Sequence, residues 1–139
     1  MEKLKKIWKE LSIFGIVIVI FLGLFVYGKI THVDFKTITQ SALVEKVKDK
    51  DNFVVVIGNN TDTTTLSYQQ TMKSFLEKNR RETLYYVDIS NDRDYSTWLE
   101  KELNITDATI PQTIVYKKGK VTTSKNGALS YYRLAQLFK

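Results

Sequence analysis

The sequence predicts an α/β domain, a mixed sheet with helices on both faces, preceded by one N-terminal transmembrane helix. Three observations predict this architecture. An uncharged apolar run opens the chain at residues 11–28, and strand-like and helix-like runs then alternate. Two further strand-like runs, separated by a glycine turn, precede a final amphipathic run. The order strand–helix–strand–helix, then hairpin–helix, indicates a parallel pair of strands completed by antiparallel ones.

The composition excludes most kinds of active site. The chain has 139 residues, a net charge of +6, one histidine and no cysteine. The absence of cysteine excludes disulfides, thiolate zinc sites, iron–sulfur clusters and thiol nucleophiles. A single histidine argues against a Ser/His/Asp triad and against a multi-histidine metal centre. We therefore expect no catalytic residues, no metal and no cofactor.

The apolar run has the length of a membrane span. Residues 11–28 carry no charge and as a helix would extend about 27 Å, close to the hydrocarbon thickness of a bilayer. Trp8 and Tyr27 flank it, and four lysines precede it. The positive-inside rule then predicts a cytoplasmic N-terminus at residues 1–10, an anchor at 11–30 and an extracellular domain at 31–139.

Two other interpretations of this run exist. A cleaved signal peptide is the first, but its apolar region is usually seven to fifteen residues long and ends in an Ala-x-Ala motif, which is absent. A buried helix of a soluble protein is the second. We favour an uncleaved signal-anchor, which predicts a single-pass protein of the cell membrane.

The first half of the domain shows two helices and a buried strand. Residues 39–50 have apolar side chains at helical spacing, and residues 53–57 form a continuous apolar run typical of a strand buried on both faces. The polar string GNNTDTTT follows. Residues 66–80 are again helical, and the candidate core residues of these two helices are Leu43, Val44, Val47, Leu66, Met72, Phe75 and Leu76.

The second half adds three strands and two helices. We expect a buried strand at residues 83–89 and a short helix at 95–103. A hairpin at 113–118 and 120–124 turns at Gly119. A last helix is expected at 128–138, with Leu129, Leu134, Leu137 and Phe138 inward.

Local strings in this arrangement resemble thioredoxin. The segment ATIPQTIVYKKGK at residues 108–120 is similar to the family's Ile-Pro, strand and glycine-turn segment, and GALS at 127–130 is similar to the start of its last helix. Asp88 closes the middle strand, as an aspartate commonly does there. The resemblance covers residues 33–139 and implies a thioredoxin-like fold. The string VVVIGNNTDTTT most resembles the thioredoxin-like accessory proteins of Gram-positive bacteriocin operons.

The resemblance also implies that the redox centre is missing. The two family cysteines align with Asp62 and Thr65, and the family's buried carboxylate aligns with Val56. Disulfide exchange needs a thiolate to attack and a second thiol to resolve the mixed intermediate. Neither aspartate nor threonine supplies one, so we expect a non-catalytic protein.

The same region is the predicted binding site. Pro111 resembles the family's cis-proline, and the backbone of Ile110 would then face a groove in which an extended peptide can pair. The predicted site residues are Asn60, Thr61, Asp62, Thr63, Thr64, Thr65, Ile110 and Pro111. In the alternative, both residues have structural roles. Asp62 then acts solely as a helix N-cap, and Pro111 serves solely to maintain the fold.

The functional hypothesis is a membrane-anchored, redox-inactive binding module on the outer face of the membrane. Its partner would be a peptide or a protein, in a bacteriocin accessory, immunity or secretion-related role. The alternative is a structural subunit of a transporter or secretion complex, docked through its transmembrane helix. Three small residues on one face of that helix, Ser12, Gly15 and Gly23, can let a second helix approach closely. The other interpretation is that they are scattered small residues of a lipid-facing helix.

Two further patterns in the sequence give weaker indications of a ligand. Acidic residues from Asp88 to Asp94 imitate a calcium loop, but Arg93 and Leu99 replace its diagnostic glycine and glutamate. Lysines cluster at residues 46–50 and 117–125. Such groups are usually solvated, although anionic lipid headgroups or wall polymers are alternative ligands. We expect no nucleic acid partner, because the domain would lie outside the cytoplasm.

Overall fold

The computed structural model describes residues 10, 12–22, 24 and 34–139. The chain divides into two compact units between residues 33 and 34. In the first unit, residues 12–22 are helical and exposed. The predicted span at 11–30 extends beyond the described residues, and so do most of residues 1–10. Among the residues that are described, no helix combines the length and apolar character needed to cross a membrane. The anchor and its topology therefore stay predictions.

The second unit contains five strands and four helices in its described residues. Their order along the chain is β1 (Lys36–Thr37), α1 (Gln40–Lys48), β2 (Phe53–Gly58), α2 (Thr63–Lys78), β3 (Leu84–Asp88), α3 (Tyr95–Leu103), β4 (Gln112–Lys117), β5 (Lys120–Asn126) and α4 (Tyr131–Gln136).

These strands form one mixed sheet, as the sequence predicts. The strand order is β1-β3-β2-β4-β5. β1, β3 and β2 are parallel, whereas β4 is antiparallel to β2 and β5 is antiparallel to β4. The carboxyl ends of β2 and β3 therefore lie at one end of the sheet, together with the start of β4 and the end of β5.

Alternate residues of the central strands supply two cores. On one face, Phe53, Val55 and Ile57 pack in a cluster with Leu43 of α1 and Leu99 of α3. The other face is covered by α2 and α4, whose buried residues are Tyr68, Met72, Phe75, Leu76 and Leu134. Removing each such side chain from water contributes about 1.5–3 kcal/mol, so the sheet is held from both sides.

Polar caps set the helix boundaries. Thr39 Oγ1 accepts a hydrogen bond from the Ala42 amide at 3.1 Å, and Ser130 Oγ accepts from the Arg133 amide at 3.3 Å. Asp62 caps α2, so this helix begins at Thr63, three residues before the predicted start. Leu66 is 43 % exposed, so its prediction as a core residue is wrong. The buried face of this helix is formed by Thr65, Tyr68, Met72, Phe75 and Leu76, and Leu66 lies about 100° from Thr65 around the helix axis.

Candidate functional site

The candidate site lies where β2 ends beside the beginning of β4. The antiparallel register pairs Ile57 with Gln112. The next residues beyond this pair therefore lie side by side. They are Gly58, the last residue of β2, and Pro111, which precedes β4. The peptide bond between Ile110 and Pro111 is cis. The loop at residues 59–62 and the segment at 109–111 thus border the same edge of the sheet.

Asp62 and Thr65 bind each other rather than facing a common ligand. Asp62 Oδ2 accepts hydrogen bonds from the Thr65 amide at 3.1 Å and from Thr65 Oγ1 at 2.9 Å. Thr65 Oγ1 in turn accepts from the Asn59 amide at 3.3 Å. Thr65 is fully buried. These two residues close the loop onto the first turn of α2, which is the structural alternative that the sequence leaves open.

Asn60 is fixed through both its backbone and its side chain. Its amide donates to Asp88 Oδ1 at 3.1 Å, across to the end of β3. Its side-chain oxygen accepts from the Tyr86 hydroxyl at 2.7 Å and from Gln69 Nε2 at 2.9 Å. Three residues on two elements, β3 and α2, therefore hold the tip of this loop in one position. Sequence reasoning missed these partners, although Asp88 at the end of a buried strand was the available signal.

The exposed surface of the loop and of the first turn of α2 is polar. Asn60, Thr61, Thr63 and Thr64 are exposed, whereas Asp62 is half-buried. The Thr61 hydroxyl and amide both donate to Asn59 Oδ1, at 2.6 and 2.8 Å. Among the predicted site residues, the structure therefore offers hydroxyl and amide groups of the loop, while Thr65 and Pro111 lie beneath the surface.

Ile110 presents main-chain groups beside this loop. Its side chain is half-buried against the core cluster. Within residues 34–139 its amide and its carbonyl form no hydrogen bond, whereas the neighbouring Pro111 carbonyl accepts from the Gly127 amide at 2.7 Å. A main-chain donor and acceptor are thus open on the segment that borders the loop, which is the requirement for pairing with an extended chain.

The buried groups beneath the loop are hydroxyls. Tyr68 OH and Thr113 Oγ1 lie 2.6 Å apart, and Val56 is fully buried between strands. Burial raises the pKa of Tyr68 to about 12, although its hydrogen bond with Thr113 lowers it. Burial likewise raises the pKa of Tyr86 to about 12. These phenols stay neutral at physiological pH, so they provide hydrogen bonds and no general base.

Asp88 is the charged group that anchors the loop. Partial burial raises its pKa, but hydrogen bonds from the Asn60 amide and from the Ser90 hydroxyl and amide outweigh that effect, so the pKa lies below its ordinary value of 3.8. The carboxylate is thus ionised at neutral pH. Within the described part of the chain, no group of His, Cys, Asp or Glu side chains is arranged to hold a metal ion.

A family model identifies relatives of this domain. The model described as "Monothiol bacilliredoxin BrxC" matches residues 35–130. No curated protein sequence matches the chain significantly.

Solved structures show the same fold at low sequence identity. A structure described as a putative oxidoreductase with a thioredoxin fold is 19 % identical with a TM-score of 0.60, over 75 % of this chain and 93 % of that one. Thioredoxin from Plasmodium falciparum is 16 % identical with a TM-score of 0.56, over 73 % and 94 %. Thioredoxin O2 from Arabidopsis thaliana is 14 % identical with a TM-score of 0.56, over 76 % and 91 %. The domain is therefore thioredoxin-like in fold.

Proposed function

We propose that this chain, which belongs to the monothiol bacilliredoxin BrxC family, is a redox-inactive binding module anchored in the cell membrane by residues 11–30. The family description names a thiol, whereas this sequence has no cysteine. Thiol–disulfide exchange requires a thiolate nucleophile. The module therefore acts by holding a peptide or protein segment on the outer face of the membrane, without chemical conversion.

The open main chain of Ile110 carries the proposal. An extended segment can accept from its amide and donate to its carbonyl, as a strand added to an open edge does. Each such bond contributes only about 0.5–1.5 kcal/mol. Main-chain pairing alone therefore gives modest affinity, and the partner must gain the rest from side-chain contacts.

The loop supplies those contacts in a fixed arrangement. Thr61 lies on the loop that Asp88, Tyr86 and Gln69 hold in place through Asn60. Thr63 and Thr64 lie beside it in the first turn of α2, and all three threonines are exposed. A preorganised loop loses little conformational entropy on binding. Its chemistry suits a polar segment that hydrogen-bonds to hydroxyl groups.

The biological setting follows from the predicted topology and from the resemblance to bacteriocin-operon proteins. An anchor confines the domain to the membrane surface and raises its effective concentration for partners there. A bacteriocin accessory, immunity or secretion-related role fits such a tethered holder. The second candidate, a structural subunit docked through the transmembrane helix, is favoured by the small residues Ser12, Gly15 and Gly23 in that helix.

The test replaces exposed loop residues with bulky ones. Thr61→Trp and Thr63→Trp place bulky side chains on the exposed surface of the proposed site and leave the buried Thr65 unchanged. Thr97→Trp is the matched control, because Thr97 is an exposed threonine of α3 that is not among the predicted site residues. Partners are cross-linked in membranes and quantified by mass spectrometry for each variant. We expect the loop variants to lose at least tenfold of the captured partner and the control to lose none.

Deleting residues 1–33 separates the two candidates. A groove binder keeps its partner as a free domain, and a docked subunit loses it. If both loop variants capture as much partner as the wild-type protein does, the proposed binding site is refuted.

A further inference from the structure

The charges of the domain are separated between its two ends. We call the end opposite the candidate site the basic pole; it consists of residues 46–52, 78–83, 117–120 and 137–139. Its acidic side chains are Asp49, Asp51 and Glu82, and its basic ones are Lys46, Lys48, Lys50, Lys78, Arg80, Arg81, Lys117, Lys118, Lys120 and Lys139. Three further acidic side chains, Glu45, Glu77 and Glu102, border it. The site end carries the opposite net charge, with Arg93 and Lys125 against Asp62, Asp88, Asp92, Asp94 and Asp107.

Direct contacts join the two lysine clusters that are distant in sequence. The Lys118 amide donates to Asn52 Oδ1 at 2.7 Å. Gly119 packs so closely against α1 that an added Cβ would lie 2.6 Å from the Val47 carbonyl oxygen. The hairpin turn therefore sits on the C-terminal end of α1. This places Lys117, Lys118 and Lys120 on the same surface as Lys48 and Lys50, all of them exposed.

A cleft of about 480 Å³ opens at this pole. Arg81, Lys117 and Lys139 line it with one acidic residue, Glu82. Its apolar lining includes Val115 and Phe138. Cationic side chains around a partly apolar cleft match the chemistry of a phospholipid headgroup, in which a phosphate adjoins glycerol carbons.

The chain also enters the domain from this pole. Lys36 of β1 pairs in parallel with Tyr85, the second residue of β3, so Asp34 and Phe35 lie toward the starting ends of the parallel strands. Three residues, 31–33, lie between the end of the predicted anchor at residue 30 and Asp34.

We propose that the basic pole docks on an anionic phospholipid surface and that its cleft receives a lipid headgroup. The acidic site end then faces away from the membrane, toward partners in the surrounding medium. The inference goes beyond the groove function and uses none of its residues. Each lysine or arginine near an anionic surface strengthens binding about fivefold at physiological salt.

The test uses residues 34–139, a compact unit with its own sheet and two-sided core, and vesicles of phosphatidylglycerol or phosphatidylcholine. The variant Lys48→Gln/Arg81→Gln/Lys117→Gln removes three charges from the pole. The control Arg93→Gln/Lys125→Gln/Arg133→Gln removes three exposed charges outside the pole. Co-sedimentation gives the partition coefficients, and circular dichroism verifies that each variant is folded.

We expect the wild-type domain to bind phosphatidylglycerol vesicles and not phosphatidylcholine vesicles, and its binding to weaken as salt increases. The pole variant should bind about a hundredfold more weakly, and the control within about threefold of wild type. Equal losses in both variants would show that net charge alone acts, and would overturn the proposal. Absence of binding to phosphatidylglycerol, or tighter binding to purified teichoic acid than to vesicles, would overturn it too.

The full chain allows a second measurement, because it contains no cysteine. A spin label at Thr83→Cys on the basic pole and one at Asn91→Cys at the site end are compared in nanodiscs that contain phosphatidylglycerol. The proposal expects the label at 83 to be close to paramagnetic headgroups and the label at 91 to be distant. Equal proximity of the two labels contradicts it. Both results are independent of the loop variants. The proposal of membrane docking through the basic pole can therefore be refuted while the proposed binding site stands, and the reverse.

Discussion

At the scale of single residues, the close approach of Gly58 to Thr65 makes a specific prediction. An added Cβ at position 58 would lie 2.6 Å from Thr65 Cγ2 and 3.1 Å from a Tyr86 ring carbon. Gly58→Ala must therefore displace Thr65, which caps the loop with Asp62. We expect a loss of about 1–3 kcal/mol in the free energy of unfolding, as overpacking typically costs, measured by urea unfolding of residues 34–139.

A second substitution distinguishes this cause from a general effect of alanine. Thr65→Ser removes the obstructing methyl group and keeps the hydroxyl that bonds to Asp62. When Thr65→Ser is already present, Gly58→Ala should cost clearly less than it does in wild type. An unchanged cost would show that the contact with Thr65 does not explain the effect.

Asp88 gives a pH-dependent prediction. Its pKa is lowered in the folded protein, so its contribution to stability is complete above the unfolded value of about 3.9 and is lost as pH falls through the lower folded pKa. Asp88→Asn should therefore reduce stability at pH 7 by about 1 kcal/mol, because solvent weakens charged bonds of a partly exposed group. At pH 3 and below, the difference from wild type should shrink. An equal difference at both pH values in urea unfolding contradicts this role.

Part of this residue-level description can be predicted from the sequence. Asp62 as a helix cap follows from local spacing alone, because its partner Thr65 is three residues away. The anchoring of Asn60 does not, since Tyr86 and Asp88 lie 26 and 28 residues away and only the strand register brings them together. The burial of Thr65 depends on the same packing, so a predicted contact residue is part of the interior.

At the scale of elements, the effect of an added side chain can be compared at the two glycines that have positive φ among the described residues. Gly119 has φ +76° and meets the Val47 carbonyl, whereas Gly127 has φ +83° and nothing within 4 Å of an added Cβ. Gly127→Ala should cost about 1 kcal/mol, for the left-handed conformation alone. Gly119→Ala should cost about 3 kcal/mol, because it also pushes the hairpin from α1. Equal costs in thermal unfolding would show that the hairpin does not rest on the helix.

The sequence predicts the long elements and misses the short one. Apolar periodicity is strong in β2, α2 and β4, and these elements differ from prediction only near their ends. The two-residue strand β1, Lys36–Thr37, has no apolar pattern of its own and exists because its backbone pairs with β3. Leu66 faces solvent for a related reason. Packing against the sheet buries the neighbouring Thr65 instead, and the apolar character of Leu66 alone does not indicate this.

At the scale of the whole molecule, we expect the chain to have no thiol–disulfide exchange activity. Its sequence contains no thiol, and the phenols beneath the loop have pKa values raised to about 12. In an insulin reduction assay with dithiothreitol as electron donor, the rate with the protein should equal the rate without it. Turnover above that background by a clean preparation would contradict the assignment of a binding role.

Topology is the second prediction at this scale. A single span at residues 11–30 with a cytoplasmic N-terminus exposes residues 31–139 outside the cell. Protease added to intact protoplasts should therefore degrade the domain. A domain that survives until the membrane is permeabilised would show that the orientation is reversed.

The central claim is that a partner lies across the loop and Ile110. Photo-cross-linking from a benzoylphenylalanine at Thr63 in the full chain tests it most directly, with the same residue at Thr97 as the control position. The account predicts a discrete adduct from position 63 that position 97 does not give, and predicts that Thr61→Trp abolishes it. Adducts from both positions alike, or an adduct that Thr61→Trp leaves unchanged, would contradict the account.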